Sequence, residues 1–158
     1  MLHALSSLPP DDKAFFLSYT DCIMPITISA TIQQSISTVW NCFTSPEHIT
    51  QWNQASADWH CPKAEIALEQ GGTFLYTMAA KNGSFSFDFG GTFDEIIPQA
   101  YIAYTLGDGR RVKVTFEEME DQVRVTEQFD PEHVHSEEMQ QQGWQSILDS
   151  FKAHCESI

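Results

Sequence analysis

The chain has 158 residues and a formal net charge of −14, which comes from 22 acidic and 8 basic residues. This length fits one domain with its own hydrophobic core, and 42% hydrophobic residues exclude a disordered chain. The only basic cluster, Arg110, Arg111 and Lys113, is followed at once by acidic residues. Because a chain this acidic repels polyanions, we predict no nucleic-acid partner.

The first 23 residues differ from the rest, because Pro9 and Pro10 interrupt any regular element. We predict an N-terminal extension over residues 1–23 and one domain over residues 24–158; a functional start at Met24 is an alternative. No apolar run reaches the roughly 20 residues that span a bilayer, so no membrane span is predicted. The four scattered cysteines lack a CxxC motif and favour reduced thiols in a cytoplasmic protein.

The ordered pattern begins with a strand, since apolar and polar residues alternate over residues 26–32. Ser37 is then the predicted cap of a short helix. Ser45-Pro46-Glu47 predicts the start of a second short helix that runs towards Trp52. Two short helices are therefore expected directly after the first strand.

The middle of the chain shows repeated strand periodicity, in which every second residue is apolar. The alternating segments cover residues 74–78, 85–89, 102–106, 112–116 and 123–129. Turn residues separate them, including an Asn-Gly hairpin signal. This pattern predicts an antiparallel meander of about six strands with one apolar face.

The chain ends in a predicted amphipathic helix. Trp144, Ile147, Leu148, Phe151 and Cys155 fall at helical spacing and form one apolar stripe. Because the apolar face of an antiparallel sheet must be covered, the helix is expected to lie on it. The predicted fold is α+β, with a curved sheet gripping the helix and a cavity between them.

Four segments carry a family resemblance, and they occur in the expected order. They are residues 39–52 (VWNCFTSPEHITQW), 71–74 (GGTF), 91–98 (GTFDEIIP) and Gly143-Trp144 with the later Leu148. Together they resemble the START-like, or SRPBCC, domains, and more narrowly the branch named after the activator of the heat-shock chaperone ATPase. The resemblance covers residues 26–156 and implies the helix-grip fold. That fold hosts carriers, cyclases, hydrolases and co-chaperones, and no catalytic motif carries over.

The apolar face of the meander and the helix stripe together predict a pocket for a small apolar or amphipathic ligand. No cofactor and no metal is predicted. The predicted lining residues are Trp52, Trp59, Phe74, Tyr76, Met78, Phe87, Phe89, Tyr104, Val114, Phe116, Glu127, Gly143, Trp144, Ile147 and Phe151.

Glu127 and Gly143 each have two interpretations. Counting by two along the last strand places Glu127 on the apolar face, where it would anchor a ligand or act as an acid or base with a raised pKa. Alternatively, a bulge or a frayed strand end turns Glu127 to water. Gly143 either leaves room for a ligand or a close contact, or lies in the first turn of the helix near a bend.

Two groups of residues could bind a metal or act as nucleophiles, but each also has an ordinary structural role. His133 and His135 would share a face only on a strand, and their segment is expected to be a loop before an acidic helix start. His60 and Cys61 are neighbours in sequence, and neighbours on a strand point to opposite faces. Neither group predicts a metal or catalytic site.

Three functions are consistent with the sequence. The first is a ligand-binding domain without catalysis. The second is an enzyme such as a cyclase, dehydratase or hydrolase, which would use Glu127, the tyrosines or His60 in the same cavity. The third is a regulator of a heat-shock chaperone ATPase, which the resemblance permits. The oligomeric state is left open, with a homodimer as one alternative.

Overall fold

The computed structural model describes residues 23–158, so the predicted extension lies outside the described residues apart from Ile23. The extension and its boundary stay a prediction. In chain order the elements are β1 (Ile26–Ile32), α1 (Ile36–Thr44), α2 (Pro46–Trp52), β2 (Trp59–Ile66), β3 (Thr73–Ala80), β4 (Ser86–Ile97), β5 (Tyr101–Leu106), β6 (Arg111–Met119), β7 (Gln122–Phe129) and α3 (Glu137–Glu156).

Seven antiparallel strands form one sheet in the order β1-β7-β6-β5-β4-β3-β2. The first strand therefore pairs with the last, and the rest form a meander. The predicted helix-grip fold, with its two short helices after β1, is confirmed. The sequence pattern did not define β2, because Pro62 and a register shift between His60 and Lys63 interrupt its alternation.

The strand β4 carries two consecutive glycines, Gly90 and Gly91, near its middle. A Cβ atom on Gly91 would lie 2.5 Å from the carbonyl oxygen of Thr105, and one on Gly90 would lie 2.7 Å from that of Phe74. Only glycine permits such close approach of the neighbouring strands on both sides. The sheet as a whole is curled, and the helices cover its concave face.

The helices begin at polar caps. Ser35, not the predicted Ser37, caps α1, since its hydroxyl oxygen accepts a hydrogen bond from the backbone N–H of Thr38 at 3.3 Å. Pro46 occupies the start of α2 as predicted. Ser136 caps α3 in the same way as Ser35 caps α1, with Glu137 in the first turn. Carboxylates favour that positive helix end.

Five aromatic side chains close one end of the space between sheet and helices. We call this cluster the aromatic plug; it consists of Trp40, Phe43, Trp52, Phe116 and Phe151. Phe43 contacts Phe116 and Phe151 edge to face, with ring centroids 5.4 Å apart in both pairs. The plug joins all three helices to β6, so it locks the second half of α3 onto the sheet.

The helix α3 also contacts the outer edge of β1. Three of its side chains donate hydrogen bonds to backbone carbonyl oxygens of that strand. The pairs are Gln141 with Thr27, Gln145 with Ser29, and Lys152 with Thr31. Within residues 23–158, neither α3 nor a shorter helix is both long enough and apolar enough to cross a membrane.

Candidate functional site

A cavity of about 330 Å³ lies between the first half of α3 and strands β3 to β5. Its volume falls within the range of small-molecule sites. The apolar and aromatic lining residues are Phe43, Trp52, Ile66, Phe74, Tyr76, Met78, Phe87, Phe89, Phe93, Ile102, Tyr104, Trp144 and Ile147. The polar lining residues are Thr44, Asn53, Arg110, Glu127, Glu132, His135 and Gln140.

Most of the residues predicted from the sequence lie around this cavity. They are Trp52, Phe74, Tyr76, Met78, Phe87, Phe89, Tyr104, Glu127, Trp144 and Ile147. Whether they contact a ligand stays a prediction. The structure brings them together because the meander turns the same face of β3, β4 and β5 towards α3.

The other predicted residues lie outside the lining. Phe116 and Phe151 belong to the aromatic plug, and Val114 is fully buried on β6. Trp59 packs edge to face against Phe87, with ring centroids 6.0 Å apart. Gly143 lies in the second turn of α3, and no atom would come within 4 Å of an added Cβ. No close contact therefore explains this glycine, and its predicted part in ligand binding stays a prediction.

Aromatic contacts form much of the cavity wall. The ring of Phe74 lies 4.9 Å from that of Tyr104 and 5.0 Å from that of Tyr76, measured between centroids. Trp144 of α3 stacks on Phe129 at 4.0 Å and meets Phe89 edge to face at 5.9 Å. Through Trp144, the first half of α3 therefore contacts β4 and β7.

Glu127 carries the most unusual group in the cavity. It lies in unbroken register on β7, opposite Ile28 of β1 and Val114 of β6, so the alternative of a bulge is wrong. Its side chain is only 9% exposed, and within residues 23–158 it forms no hydrogen bond that lowers its pKa. Burial instead raises the pKa of the Glu127 carboxyl to about 7.

Two phenols share the cavity with this carboxyl. Burial raises the pKa of Tyr104 well above its ordinary value, and the neighbouring Glu127 carboxyl raises it further. Burial also raises the pKa of Tyr76. Both phenols therefore stay protonated at neutral pH and can donate hydrogen bonds. Glu127 and Tyr104, two of the candidates for acid or base chemistry, both line the cavity, whereas His60 does not.

The polar part of the lining is held by hydrogen bonds. Buried Gln140 of α3 donates to the backbone carbonyl oxygens of Glu132 and His135 at 3.1 and 2.9 Å. The side chain of Glu132 accepts from the ring Nδ1 of His135 at 2.7 Å. Asp108 holds the guanidinium of Arg110 at 2.8 Å. The loop before α3 is thus fixed, and His135 is engaged by Glu132.

Several lining residues were missed because periodicity does not reveal them. Phe43 and Asn53 come from the short helices and the turn after them, while Arg110 and Glu132 come from turns. Phe93 and Ile102 alternate correctly and could have been found, since they share the inward face of β4 and β5. Residues on turns depend on where the chain folds back, which spacing alone does not give.

A family model described as "Activator of Hsp90 ATPase homolog 1-like protein" matches residues 33–156. The chain belongs to this family. The match confirms the resemblance drawn from the four sequence segments. Among curated proteins, none matches the chain.

Solved structures support the same assignment. The solution structure of the AHSA1-like protein from Aeromonas hydrophila is 42% identical, with a TM-score of 0.81, over 85% of this chain and 93% of that one. A protein from Cytophaga hutchinsonii is 47% identical, with a TM-score of 0.74, over 84% and 92%. A protein from Nitrosomonas europaea is 16% identical with a TM-score of 0.75, over 87% and 97%, and shows the fold alone.

Proposed function

We propose that the chain is a binding domain for a small, mostly apolar molecule that carries one hydrogen-bond donor. The observation that carries this proposal is the Glu127 carboxyl, which lies in a mostly apolar cavity, is only 9% exposed and has a pKa raised by burial. Bringing an ionised carboxyl into such surroundings costs free energy, so selection for stability alone would favour an apolar residue there.

The chemistry of the cavity defines the ligand class. Aromatic and aliphatic walls favour an apolar body, because burial of apolar surface is worth about 25 cal/mol per Å². Glu127 accepts a hydrogen bond in either protonation state, and it attracts a cation when ionised. An amine or a hydroxyl group satisfies this requirement. A ligand carboxylate would be repelled by ionised Glu127.

Displacement of a neutral, environment-sensitive dye from the full chain tests this proposal. Alkyl amines, alcohols and carboxylates of equal chain length serve as competitors at pH 8. The amine and the alcohol should displace the dye at lower concentration than the carboxylate. Glu127→Gln should remove the difference between amine and alcohol, whereas the exposed control Glu138→Gln should keep it.

Two results would contradict the proposal. One is a wild-type protein that binds no dye, since the cavity would then be closed in solution. The other is equal displacement by the three competitors, which would leave Glu127 without a role in selection. Mass spectrometry of the native protein would identify a ligand that co-purifies.

We infer a second candidate, catalysis in the same cavity, from the convergence of Glu127 and Tyr104. A carboxyl with a pKa near 7 can accept or donate a proton at neutral pH, and a protonated phenol can polarise an oxygen. The test is to incubate a co-purified ligand with wild-type protein and with Glu127→Gln. A mass change that only the wild type produces would favour an enzyme, and an unchanged ligand would favour binding.

We infer a third candidate, regulation of a chaperone ATPase, from the family description. ATP hydrolysis by purified Hsp90 would be measured with and without the chain. Stimulation that saturates with added chain would support this role. We also infer a reducing, cytoplasmic setting, because Cys42, Cys61 and Cys155 are free and buried.

A further inference from the structure

The three helices meet at one point away from the cavity. Cys42 lies on α1, His48 on α2 and His154 in the last turn of α3. One thiol sulfur and two ring nitrogens from these residues all lie within 4.8 Å of one another. None of the three residues lines the cavity, so this cluster is independent of the proposed ligand site.

We propose that Cys42, His48 and His154 bind a divalent transition-metal ion of the zinc type. Thiolate and imidazole are the ligands that zinc and cobalt prefer, and three protein ligands suffice for a tetrahedral ion that completes its shell with a fourth donor. The cluster offers this donor set from three separate helices.

The geometry is close to that of a filled site. Zinc–nitrogen bonds of about 2.0–2.1 Å at tetrahedral angles place two ligand nitrogens about 3.3 Å apart. The Nδ1 of His48 and the Nε2 of His154 lie 3.0 Å apart. The spacing of the two ring nitrogens is therefore within a few tenths of an ångström of that in a filled site, and the sulfur of Cys42 lies within 4.8 Å of a nitrogen of each ring.

The surroundings suit such an ion. Cys42 is fully buried, and both histidines are half-buried, so the site is screened without being sealed. The thiol of Cys155 adjoins that of Cys42 and is also fully buried. This second sulfur adjoins Cys42 and lies outside the three-residue cluster. Each ligand that the ion holds would tie one helix to the other two.

The simpler explanation is a hydrogen bond between the two imidazoles. One ring nitrogen would then donate and the other accept, and the thiol would be a packing residue. This explanation predicts no specific stoichiometry for added metal. The two explanations therefore differ in a direct measurement.

Cobalt titration of the full chain provides that measurement. Protein treated with a chelator under reducing conditions would be titrated with Co²⁺ and then with Zn²⁺. We expect one ion per chain, with the visible absorption of tetrahedral cobalt and a near-ultraviolet band from sulfur bonding, both removed by zinc. Zinc at a hundredfold excess over its dissociation constant should raise the Tm by about 5–10 °C.

Variants locate the ion. His48→Gln and His154→Gln should each weaken cobalt binding at least tenfold, as should Cys42→Ala. The matched controls are His133→Gln, an exposed histidine, and Cys61→Ala, another buried cysteine; both should bind cobalt as the wild type does. Thermal melts in chelator show whether each variant is folded.

The proposal fails if the wild type shows neither cobalt band and no zinc-dependent rise in Tm. It also fails if the folded ligand variants bind cobalt as tightly as the two controls. The wild-type spectrum decides the first case without any substitution, so a variant that does not fold cannot obscure the result. Dye binding in the cavity would be unaffected by either outcome.

Discussion

The two halves of α3 cover the same sheet in different ways. In the second half, Leu148, Phe151 and Cys155 are buried, and the aromatic plug fills the space beneath them. Trp144 in the first half and Ile147 at the midpoint are only half-buried and border the cavity. One helix and one sheet thus form a close-packed core at one end and a hollow at the other.

The short helices account for this difference. Phe43 and Trp52 enter the space beside the second half of α3, and they form one wall of the cavity as well as part of the plug. Among residues 23–158, no aromatic ring of α1 or α2 packs against Trp144 of the first half, whereas Phe43 and Trp52 both pack against Phe151. The comparison shows that the concave sheet is close-packed only where side chains of α1 and α2 lie between it and α3. A cavity remains where they do not.

The largest expected loss of stability comes from removing a buried side chain in the second, close-packed half of α3. Phe151→Ala should lower the free energy of unfolding by about 3–5 kcal/mol, because it removes a fully buried ring and leaves a void. Ile147→Ala should lower it by about 1–2 kcal/mol, because Ile147 already borders a space. Urea unfolding of both variants measures the difference, and equal losses would remove the distinction between the halves.

The next effect is the pH dependence contributed by Glu127. Its folded pKa of about 7 exceeds the ordinary value of 4.5, so the folded state holds the proton more tightly. The stabilisation is complete below about pH 4.5 and is lost as the pH rises to about 7. Between pH 5 and pH 8, the wild type should lose about 2–3 kcal/mol relative to Glu127→Gln.

Comparing the wild type with Glu127→Gln isolates the contribution of the Glu127 carboxyl. Burial lowers the pKa of His154, but this histidine is common to both proteins. Urea unfolding would be measured at intervals from pH 5 to pH 8. If the free energies of unfolding of the wild type and Glu127→Gln change with pH in parallel, Glu127 is solvated and the cavity holds no buried acid at this position.

The smallest expected effect is a gain of stability in the first half of α3, beside the cavity. Gly143→Ala should raise the free energy of unfolding by about 1 kcal/mol, because alanine is the better helix former and its Cβ meets no atom within 4 Å. Gly91→Ala is the matched control and should destabilise, since its Cβ would meet the Thr105 carbonyl oxygen at 2.5 Å. A loss at Gly143 would show that the first half of α3 is more tightly packed than it looks.

The fold could be predicted from the sequence because its signals are local and periodic. Alternation identified the strands from β3 to β7, and the spacing from Trp144 to Cys155 identified α3. The strand β2 was not predicted, because Pro62 breaks its alternation of apolar and polar residues. The cap of α1 was placed two residues late, because Ser35 and Ser37 are both suitable residues and only the backbone geometry separates them.

The lining of the cavity could be predicted from the sequence less completely than the fold. Alternation shows which face a residue occupies, and it placed Glu127 and Tyr104 correctly on the inner face. It does not show what lies opposite, so Phe116 and Phe151 were assigned to the pocket although Phe43 covers them. The cluster of Cys42, His48 and His154 spans three helices, and no spacing rule connects residues that far apart in sequence.

The hydrogen bonds between α3 and the edge of β1 bear on self-association. A strand at the end of a sheet offers unpaired backbone groups to any other strand, including one from a second copy of the chain. Here Gln145 and its neighbours on α3 already occupy carbonyl oxygens along β1. At the opposite edge, Pro62 interrupts β2 and removes a donor. Two copies therefore have little to gain by joining their sheets edge to edge, which protects the fold from aggregating through its own strands.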